Sequence, residues 1–177
     1  VNELLEKFPE SVALLNICGA VNKGLKHLDD ALDAYNNALN IMPNYADAHN
    51  NKGNVLQELG KFDDAIECYN EAVSCKPDYA EAFYNKGISF AAQEKHLEAI
   101  EAYAEALILN PGYIEAVYST GISLGAQGKH LEAIEVYKEV LELKPDYADA
   151  YLNIGNDLFV LNALDEALAI YKKAILK

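Results

Sequence analysis

The stretch GISFAAQEKHLEAIEAY (residues 87–103) returns almost unchanged as GISLGAQGKHLEAIEVY (residues 121–137), with differences at four of its seventeen positions. The first copy begins at Gly87 and the second at Gly121. A fixed period of about 20 to 50 residues is typical of proteins that are built from stacked structural repeats. The duplication therefore predicts a repeat architecture, and it sets the register in which the rest of the chain is compared.

The period that separates Gly87 from Gly121 runs through the whole chain. All five prolines are one period apart, and tyrosine, glycine and alanine each have a series with that spacing. The series are Pro9, Pro43, Pro77, Pro111 and Pro145; Tyr35, Tyr69, Tyr103, Tyr137 and Tyr171; Gly19, Gly53, Gly87, Gly121 and Gly155; and Ala31, Ala65, Ala99, Ala133 and Ala167. Because no series has a gap, the sequence predicts five units of one kind.

Within one unit the apolar residues have helical spacing. Phe83, Gly87 and Phe90 lie on one predicted helix face, and a second run after the polar QEKH segment repeats at i+3 and i+4. Each unit is therefore predicted to be a helical hairpin, which the next proline ends because proline cannot donate a backbone hydrogen bond. The glycine and alanine series are predicted where two backbones approach, and Tyr103 is predicted to fill the space between one hairpin and the next.

This arrangement resembles the tetratricopeptide repeat, whose pattern places a small residue, an alanine, an aromatic residue and a final proline at these spacings. The resemblance implies an all-α fold, a right-handed α-solenoid of stacked antiparallel helix hairpins. The predicted repeats cover residues 12–45, 46–79, 80–113, 114–147 and 148–177, the last one truncated and without a capping helix. Residues 1–11 match the end of a preceding repeat.

Composition excludes several classes of partner. The formal net charge is −14, and the cations are 14 lysines with no arginine, so a basic stripe for nucleic acid is not expected. No apolar run approaches the ~20 residues that span a bilayer, so no membrane partner is expected either. Three cysteines and the lack of any N-x-S/T site favour a reducing compartment, and a cytoplasmic location is predicted.

No catalytic or metal-binding pattern is apparent, so an enzyme, a cofactor and a metal are not predicted. His96 and His130 occupy equivalent turns one whole unit apart, which is too far to share an ion. His27 stands beside Asp29 and Asp30, which are interpreted as acids in the first turn of a helix. Cys18, Cys68 and Cys75 fall in or beside core positions, where inert thiols are expected.

In tetratricopeptide stacks the first helices of successive units line a concave groove that binds extended peptides or partner helices. Carried over by position, the resemblance implies a peptide-binding set with asparagines that would hold a peptide backbone and two tyrosines that would anchor it. Its arrangement of amides partly resembles the repeat region of O-linked N-acetylglucosamine transferases. The set is Asn16, Asn50, Asn51, Asn54, Tyr84, Asn85, Ile88, Tyr118, Ile122, Asn153 and Asn156.

The favoured function is thus a non-catalytic scaffold that binds an unidentified protein or peptide in its groove, with acids such as Glu81 and Glu115 at the rim. Two alternatives stay open. The last helix, LDEALAIYKKAILK, lacks a polar cap, so the chain is also predicted as a candidate for self-association. It could equally be the substrate-recruiting arm of a larger glycosyl- or sulfotransferase.

Overall fold

A computed structural model describes Phe8 and residues 10–176, which form ten α-helices and no β-strand. The helices are α1 (Val12–Gly24), α2 (Leu28–Ile41), α3 (Ala46–Glu58), α4 (Phe62–Cys75), α5 (Ala80–Ala92), α6 (His96–Leu109), α7 (Ile114–Ala126), α8 (His130–Leu143), α9 (Ala148–Val160) and α10 (Leu164–Ile175). Odd-numbered helices are the first members of the predicted hairpins and even-numbered helices the second. The predicted all-α helical-repeat class is confirmed.

The turn inside each hairpin has the same backbone geometry. Its central residue has a positive φ, between 61° and 76°, and it recurs with the period of the prolines, at Lys26, Gly60, Glu94, Gly128 and Asn162. Glycine adopts this left-handed conformation without a steric penalty, whereas a residue with a Cβ atom pays about 1 kcal/mol. The turn is therefore set by the helices on either side of it, and glycine only makes it easier to form.

The connections between hairpins are set by proline. The residue before each of four prolines ends an even-numbered helix in an extended conformation, with φ between −140° and −130° and ψ of 88–90°. The clash of the proline ring with the preceding residue disfavours helical backbone there. Each proline thus ends one hairpin and leads into the next; the preceding residues are Met42, Lys76, Asn110 and Lys144.

The helices group into two compact units, one that ends at Gln93 and one that begins at Glu94. The first unit contains α1 to α5 and the second contains α6 to α10. The boundary falls between the two helices of the predicted repeat 80–113, and the repeat limits given above stay predictions. The predicted fragment at residues 1–11 lies largely outside the described residues, as does Lys177.

The core of each unit is made by tyrosine rings that lie on glycines. A Cβ atom added to Gly53 would come within 2.6 Å of the Tyr69 ring, and one added to Gly121 within 2.5 Å of the Tyr137 ring. Each of these rings packs against the glycine of its own hairpin, and Tyr137 also belongs to a core cluster with Ile154 of the next hairpin. That a tyrosine of this series fills the space between hairpins stays a prediction. The alanines of the repeated series are almost fully buried as predicted.

Candidate functional site

One type of hydrogen bond recurs between the first helices of adjacent hairpins. In the first unit, Asn51 Nδ2 donates to Asn16 Oδ1 at 3.0 Å, and Asn85 Nδ2 donates to Asn50 Oδ1 at 3.1 Å. In the second unit, Asn153 Nδ2 donates to the Tyr118 hydroxyl at 2.9 Å. Every donor lies 35 residues after its acceptor. The structure therefore pairs six of the eleven predicted site residues with one another.

Asn50 does not lie where the sequence predicted it. Its side chain is only 1% exposed, and its Nδ2 atom donates to Glu81 Oε1 at 3.2 Å while its Oδ1 atom accepts from Asn85. Both ends of the Asn50 amide are thus used inside the first unit. Asn50 therefore supports the stacking of α3 and α5.

Asn54 is held by a tyrosine from its own hairpin. The Tyr69 hydroxyl lies 2.8 Å from Asn54 Oδ1 and 2.9 Å from Gln57 Oε1, and the Ser89 hydroxyl donates to the same Gln57 oxygen at 3.2 Å. Burial raises the pKa of Tyr69 well above its usual value, so this hydroxyl stays protonated. The oxygens of both amides are therefore occupied, and their Nδ2 and Nε2 groups stay available as donors.

These side chains border an open depression of about 410 Å³ in the first unit. Its lining consists of Asn54, Gln57, Asn85, Lys23 and Glu58. The Glu58 carboxylate accepts a hydrogen bond from the Lys26 ammonium at 2.6 Å, which also lowers the pKa of Glu58. The depression thus offers two amide donors, one amide acceptor and the ammonium group of Lys23.

Gln57 and Lys23 were not in the predicted site. They occupy the same position of the repeat as Ala91, Gly125 and Phe159, one helical turn after the position of Asn54. The sequence did contain a signal for Gln57 and Lys23. Their position in the repeat lies on the same side of the first helix as the position of Asn54. Tyr84 and Ile88, the other predicted residues of the first unit, are half-buried on α5.

At the acceptor position of the recurring bond, α7 of the second unit has a tyrosine where α1 and α3 of the first unit have asparagines. The Tyr118 ring centroid lies 5.7 Å from that of Tyr137 and 5.1 Å from that of Tyr147, in tilted contacts. Burial is the main cause that raises the pKa of Tyr118, the charge of Asp149 adds to it, and the bond from Asn153 opposes it. We name these three tyrosines the tyrosine cluster, and it holds Tyr118 in place on both sides.

Two predicted residues of the second unit are exposed. Ile122 is 45% exposed on α7, and Asn156 is exposed on α9, where its Oδ1 atom accepts from the Tyr171 hydroxyl at 2.9 Å. The pairing of Asn156 with Tyr171 repeats that of Asn54 with Tyr69 in the first unit. The eleven predicted residues thus divide into seven in the first unit and four in the second.

Comparison with known proteins identifies the family of this chain. Models described as tetratricopeptide repeats match residues 50–114 and 148–177, and a TPR repeat model matches residues 25–60 and 123–158. The solved structure of MamA is 30% identical, covers 89% of this chain, is itself covered to 92% and has a TM-score of 0.83. The chain belongs to the tetratricopeptide repeat family.

Two further solved structures of this repeat type have the same fold. YrrB, described as a TPR protein with an unusual peptide-binding site, is 25% identical over 98% of this chain and 90% of its own, with a TM-score of 0.79. MamA from Desulfovibrio magneticus RS-1 is 16% identical over 93% of each chain, with a TM-score of 0.85, and shows the fold alone. A search of curated proteins gives no match.

Tetratricopeptide repeat proteins are typically non-catalytic, and the family and fold support a protein-interaction scaffold for this chain. Acids lie in the first turns of four of the first helices, at Asp47, Glu81, Glu115 and Asp149. Carboxylates at these positions stabilise the positive end of the helix dipole. Because Glu81 also accepts from Asn50, at least one of these acids belongs to the packing of the stack.

Sequence reasoning missed a hydrogen-bonded histidine–aspartate pair inside the second unit of the tetratricopeptide stack. His130 Nδ1 lies 2.8 Å from Asp157 Oδ1, and Asp157 is only 8% exposed. Its second oxygen, Oδ2, is buried and has no hydrogen-bond partner. His130 was interpreted as a turn residue; it is the first residue of α8, and it binds a carboxylate on α9. The equivalent atom of His96, Nδ1, is buried without a partner.

The sequence analysis also considered histidines, acids and cysteines as sites of chemistry. No group of three or more histidine, cysteine or acidic side chains in the part of the chain that the structure describes is placed to hold a metal ion. Cys68 is buried, and burial raises the pKa of its thiol to about 11, which disfavours the reactive thiolate. Among the described helices, none has the length and apolar character needed to cross a membrane.

Proposed function

We propose that the first unit binds the main chain of an extended segment of another protein at the depression lined by Asn54, Gln57 and Asn85. The observation that carries the proposal is the fixed orientation of these amides. Internal hydrogen bonds occupy the oxygens of Asn54 and Gln57 and the nitrogen of Asn85. The nitrogens of the first two and the oxygen of Asn85 are left for a ligand.

A peptide main chain offers the matching groups. Each residue other than proline carries one N–H donor and one C=O acceptor. The free N–H of Asn54 would donate to a peptide carbonyl, and the free Oδ1 of Asn85 would accept from a peptide N–H. Because these contacts do not involve ligand side chains, the site would tolerate many sequences. YrrB, which this chain resembles, is a TPR protein described as having a peptide-binding site.

Lys23 adds a charge to the same depression. Its ammonium group lines the surface beside Gln57, while the nearby Glu58 carboxylate is paired with Lys26. The site would therefore favour a segment with an acidic side chain or a free carboxylate near Lys23. Tyr84, on α5 of the same unit, is the proposed apolar contact at its edge. Cytoplasmic location and self-association stay predictions.

The test begins with peptides of twelve random residues displayed on phage and selected against the purified chain. Binding of a selected peptide is then measured by calorimetry for the chain and for the double variant Asn54→Ala/Asn85→Ala. Each net hydrogen bond contributes about 0.5–1.5 kcal/mol, so the double variant is expected to bind about tenfold more weakly. A peptide that is N-methylated at its central residues should also lose affinity, because methylation removes the N–H donor.

The matched control is Asn70→Ala, which removes an exposed asparagine from α4. This variant should bind within twofold of the unchanged chain. The double variant should melt at a lower temperature, because it removes the partners of the buried Asn50 and Tyr69, so binding is compared well below the melting temperature of every variant. The proposal would be wrong if the double variant bound as tightly as the unchanged chain, or if the selection yielded no binder. Light scattering of the free chain shows whether a second copy already occupies the site.

A further inference from the structure

A second, apolar cavity of about 260 Å³ lies in the second unit, and no member of the tyrosine cluster lines it. It opens between α8, α9 and α10, and its walls include Ile134, Ile154, Leu158 and Ile170. Ile134 and Ile154 are almost fully buried, so the cavity reaches the core of this unit. A void next to apolar side chains loses dispersion contacts, and the walls therefore favour an apolar occupant.

The cavity coincides with a departure from the repeat. Ala169 lines it, and the same position of the earlier repeats is occupied by an acid with a longer side chain: Asp33, Glu67, Glu101 and Glu135. Those acids are exposed, so a longer side chain at position 169 would lie at the opening of the cavity, and alanine leaves that opening clear. An apolar cavity of about 150 Å³ is large enough for benzene, so one of about 260 Å³ accommodates a leucine or phenylalanine side chain.

The charges at the edge of the cavity distinguish between occupants. Lys138 lies at the edge, and its ammonium group is bonded to Glu135 at 2.6 Å. Glu166, in the first turn of α10, also lies at the edge and has no ion pair among the described residues. The unbalanced charge at the opening is thus negative, in a chain whose net charge is −14. A cation beside the apolar group would complement it.

We propose that this cavity binds one apolar side chain, of leucine or phenylalanine size, from a segment of a partner protein that carries lysine or arginine next to it. The apolar group occupies the space beside Ala169, and the neighbouring cation lies against Glu166. This surface belongs to the second unit alone, so it does not depend on the peptide site proposed for the first unit. A scaffold with both surfaces holds two different segments.

Three short peptides separate the contributions of shape and charge. They are acetyl-Lys-Phe-Lys-amide, acetyl-Lys-Ala-Lys-amide and acetyl-Glu-Phe-Glu-amide, each titrated into the full chain with labelled isoleucine methyl groups. The first peptide should shift the signals of Ile134, Ile154 and Ile170, with a dissociation constant on the order of 1 mM, as expected for so small a ligand. The alanine peptide should leave these signals unmoved, and the glutamate peptide should bind at least threefold more weakly.

Variants then locate the site. Ala169→Glu restores the acid of the other repeats and should abolish the shifts, whereas Ala104→Glu, at an exposed alanine on α6, should not change them. Should Ala169→Glu lower the melting temperature, Ala169→Leu fills the same space without adding a charge. Glu166→Gln should remove the preference of the cavity for the lysine peptide over the glutamate peptide.

Four outcomes overturn the proposal. The first is that the lysine–phenylalanine peptide leaves the three isoleucine signals unmoved. The second is that the alanine peptide moves them equally, which indicates attraction by charge alone. The third is that both Ala169 variants bind as the unchanged chain does. The fourth is that Glu166→Gln keeps the original preference, which removes the basic partner from the inference.

Discussion

Each of the two units has the same type of hydrogen bond between its own first helices, but the acceptors differ. In the first unit the acceptors are the amide oxygens of Asn16 and Asn50, whereas in the second unit the acceptor is the hydroxyl of Tyr118. The donor is an asparagine in every case. The bond thus joins the same two positions of the repeat in both units, but the residue type of the acceptor differs between them.

This difference decides what each surface offers a ligand. In the first unit Asn54, Gln57 and Asn85 each have a polar atom left over beside an open depression. In the second unit the Tyr118 ring makes tilted contacts with Tyr137 and Tyr147 and is half-buried. A stack of nearly identical hairpins therefore presents a hydrogen-bonding surface on one unit and an aromatic cluster on the other.

The largest expected effect comes from a hydrogen-bonded histidine–aspartate pair that belongs to the second unit. His130 and Asp157 occupy the positions that Phe62 and Ser89 hold two repeats earlier, in the first unit. His130→Phe leaves the buried Asp157 carboxylate without its partner. Because a buried carboxylate that loses its hydrogen-bond partner costs more than a neutral group does, we expect a loss of about 3 kcal/mol in the free energy of unfolding, measured by urea denaturation.

The double variant His130→Phe/Asp157→Ser gives the second unit the residue types that the first unit has at these positions, Phe62 and Ser89. It should return to within about 1 kcal/mol of the unchanged chain, since replacing both members of a buried pair is often neutral. Amide exchange in α8 and α9 shows whether the loss is local to the second unit. If the single and double variants are equally unstable, the pair is not the source of the loss.

The next prediction concerns the contact between a glycine and a tyrosine ring, which both units contain. Gly53→Ala and Gly121→Ala each place a Cβ atom within 2.6 Å of a tyrosine ring, at Tyr69 and Tyr137. Such overpacking costs about 1–3 kcal/mol, which exceeds the helix propensity that alanine gains. Both variants should melt at lower temperature by similar amounts, as followed by circular dichroism.

Gly24→Ala is the matched control, because a Cβ atom at Gly24 meets nothing within 4 Å and the residue is the last one of α1. This variant should be neutral or slightly more stable, by up to about 1 kcal/mol. A strongly destabilised control would indicate that helix backbone effects, and not the tyrosine rings, make glycine necessary in this fold.

Most of the fold follows from the sequence, since its period, its prolines and its apolar spacing are local properties. The helix pairs and their polar turns were predicted from such spacing. The role of glycine was not, because Gly53 lies on α3 and Tyr69 on α4, and their contact depends on how these two helices cross. A small residue in a helix has the same appearance in the sequence whether a backbone or a ring lies against it.

The candidate site was harder to predict, because the same residue type can face inward or outward. Asn50 and Asn51 are neighbours on one helix, yet Asn50 is 1% exposed while Asn51 is half-buried. The sequence assigned both to the ligand. Only the partners of each amide, such as Glu81 for Asn50, show which asparagines stabilise the stack and which have an atom left for binding.

The last two variants compare the acceptor of the first unit with that of the second, and the second gives the smallest expected effect. Asn50→Ala removes a buried amide and leaves the Asn85 amide without its acceptor and Glu81 without a donor, so we expect a loss of about 1–3 kcal/mol. Tyr118→Phe keeps the ring in the tyrosine cluster and removes only the acceptor of Asn153, so we expect a loss of about 0.5–1.5 kcal/mol. Urea denaturation followed by circular dichroism measures both.

A double-mutant cycle isolates each bond from the rest of its side chain. The coupling between Tyr118→Phe and Asn153→Ala should be close to the whole loss caused by Tyr118→Phe, because that hydroxyl bonds only to Asn153 among the described residues of the second unit. The coupling between Asn50→Ala and Asn85→Ala should be less than the loss from Asn50→Ala, since the bond to Glu81 is also removed. The two cycles are compared by the ratio of the coupling energy to the loss from the acceptor variant alone. Equal ratios would mean that amide and hydroxyl acceptors stabilise the stack in the same way. The two surfaces would then differ only in the groups that they leave exposed.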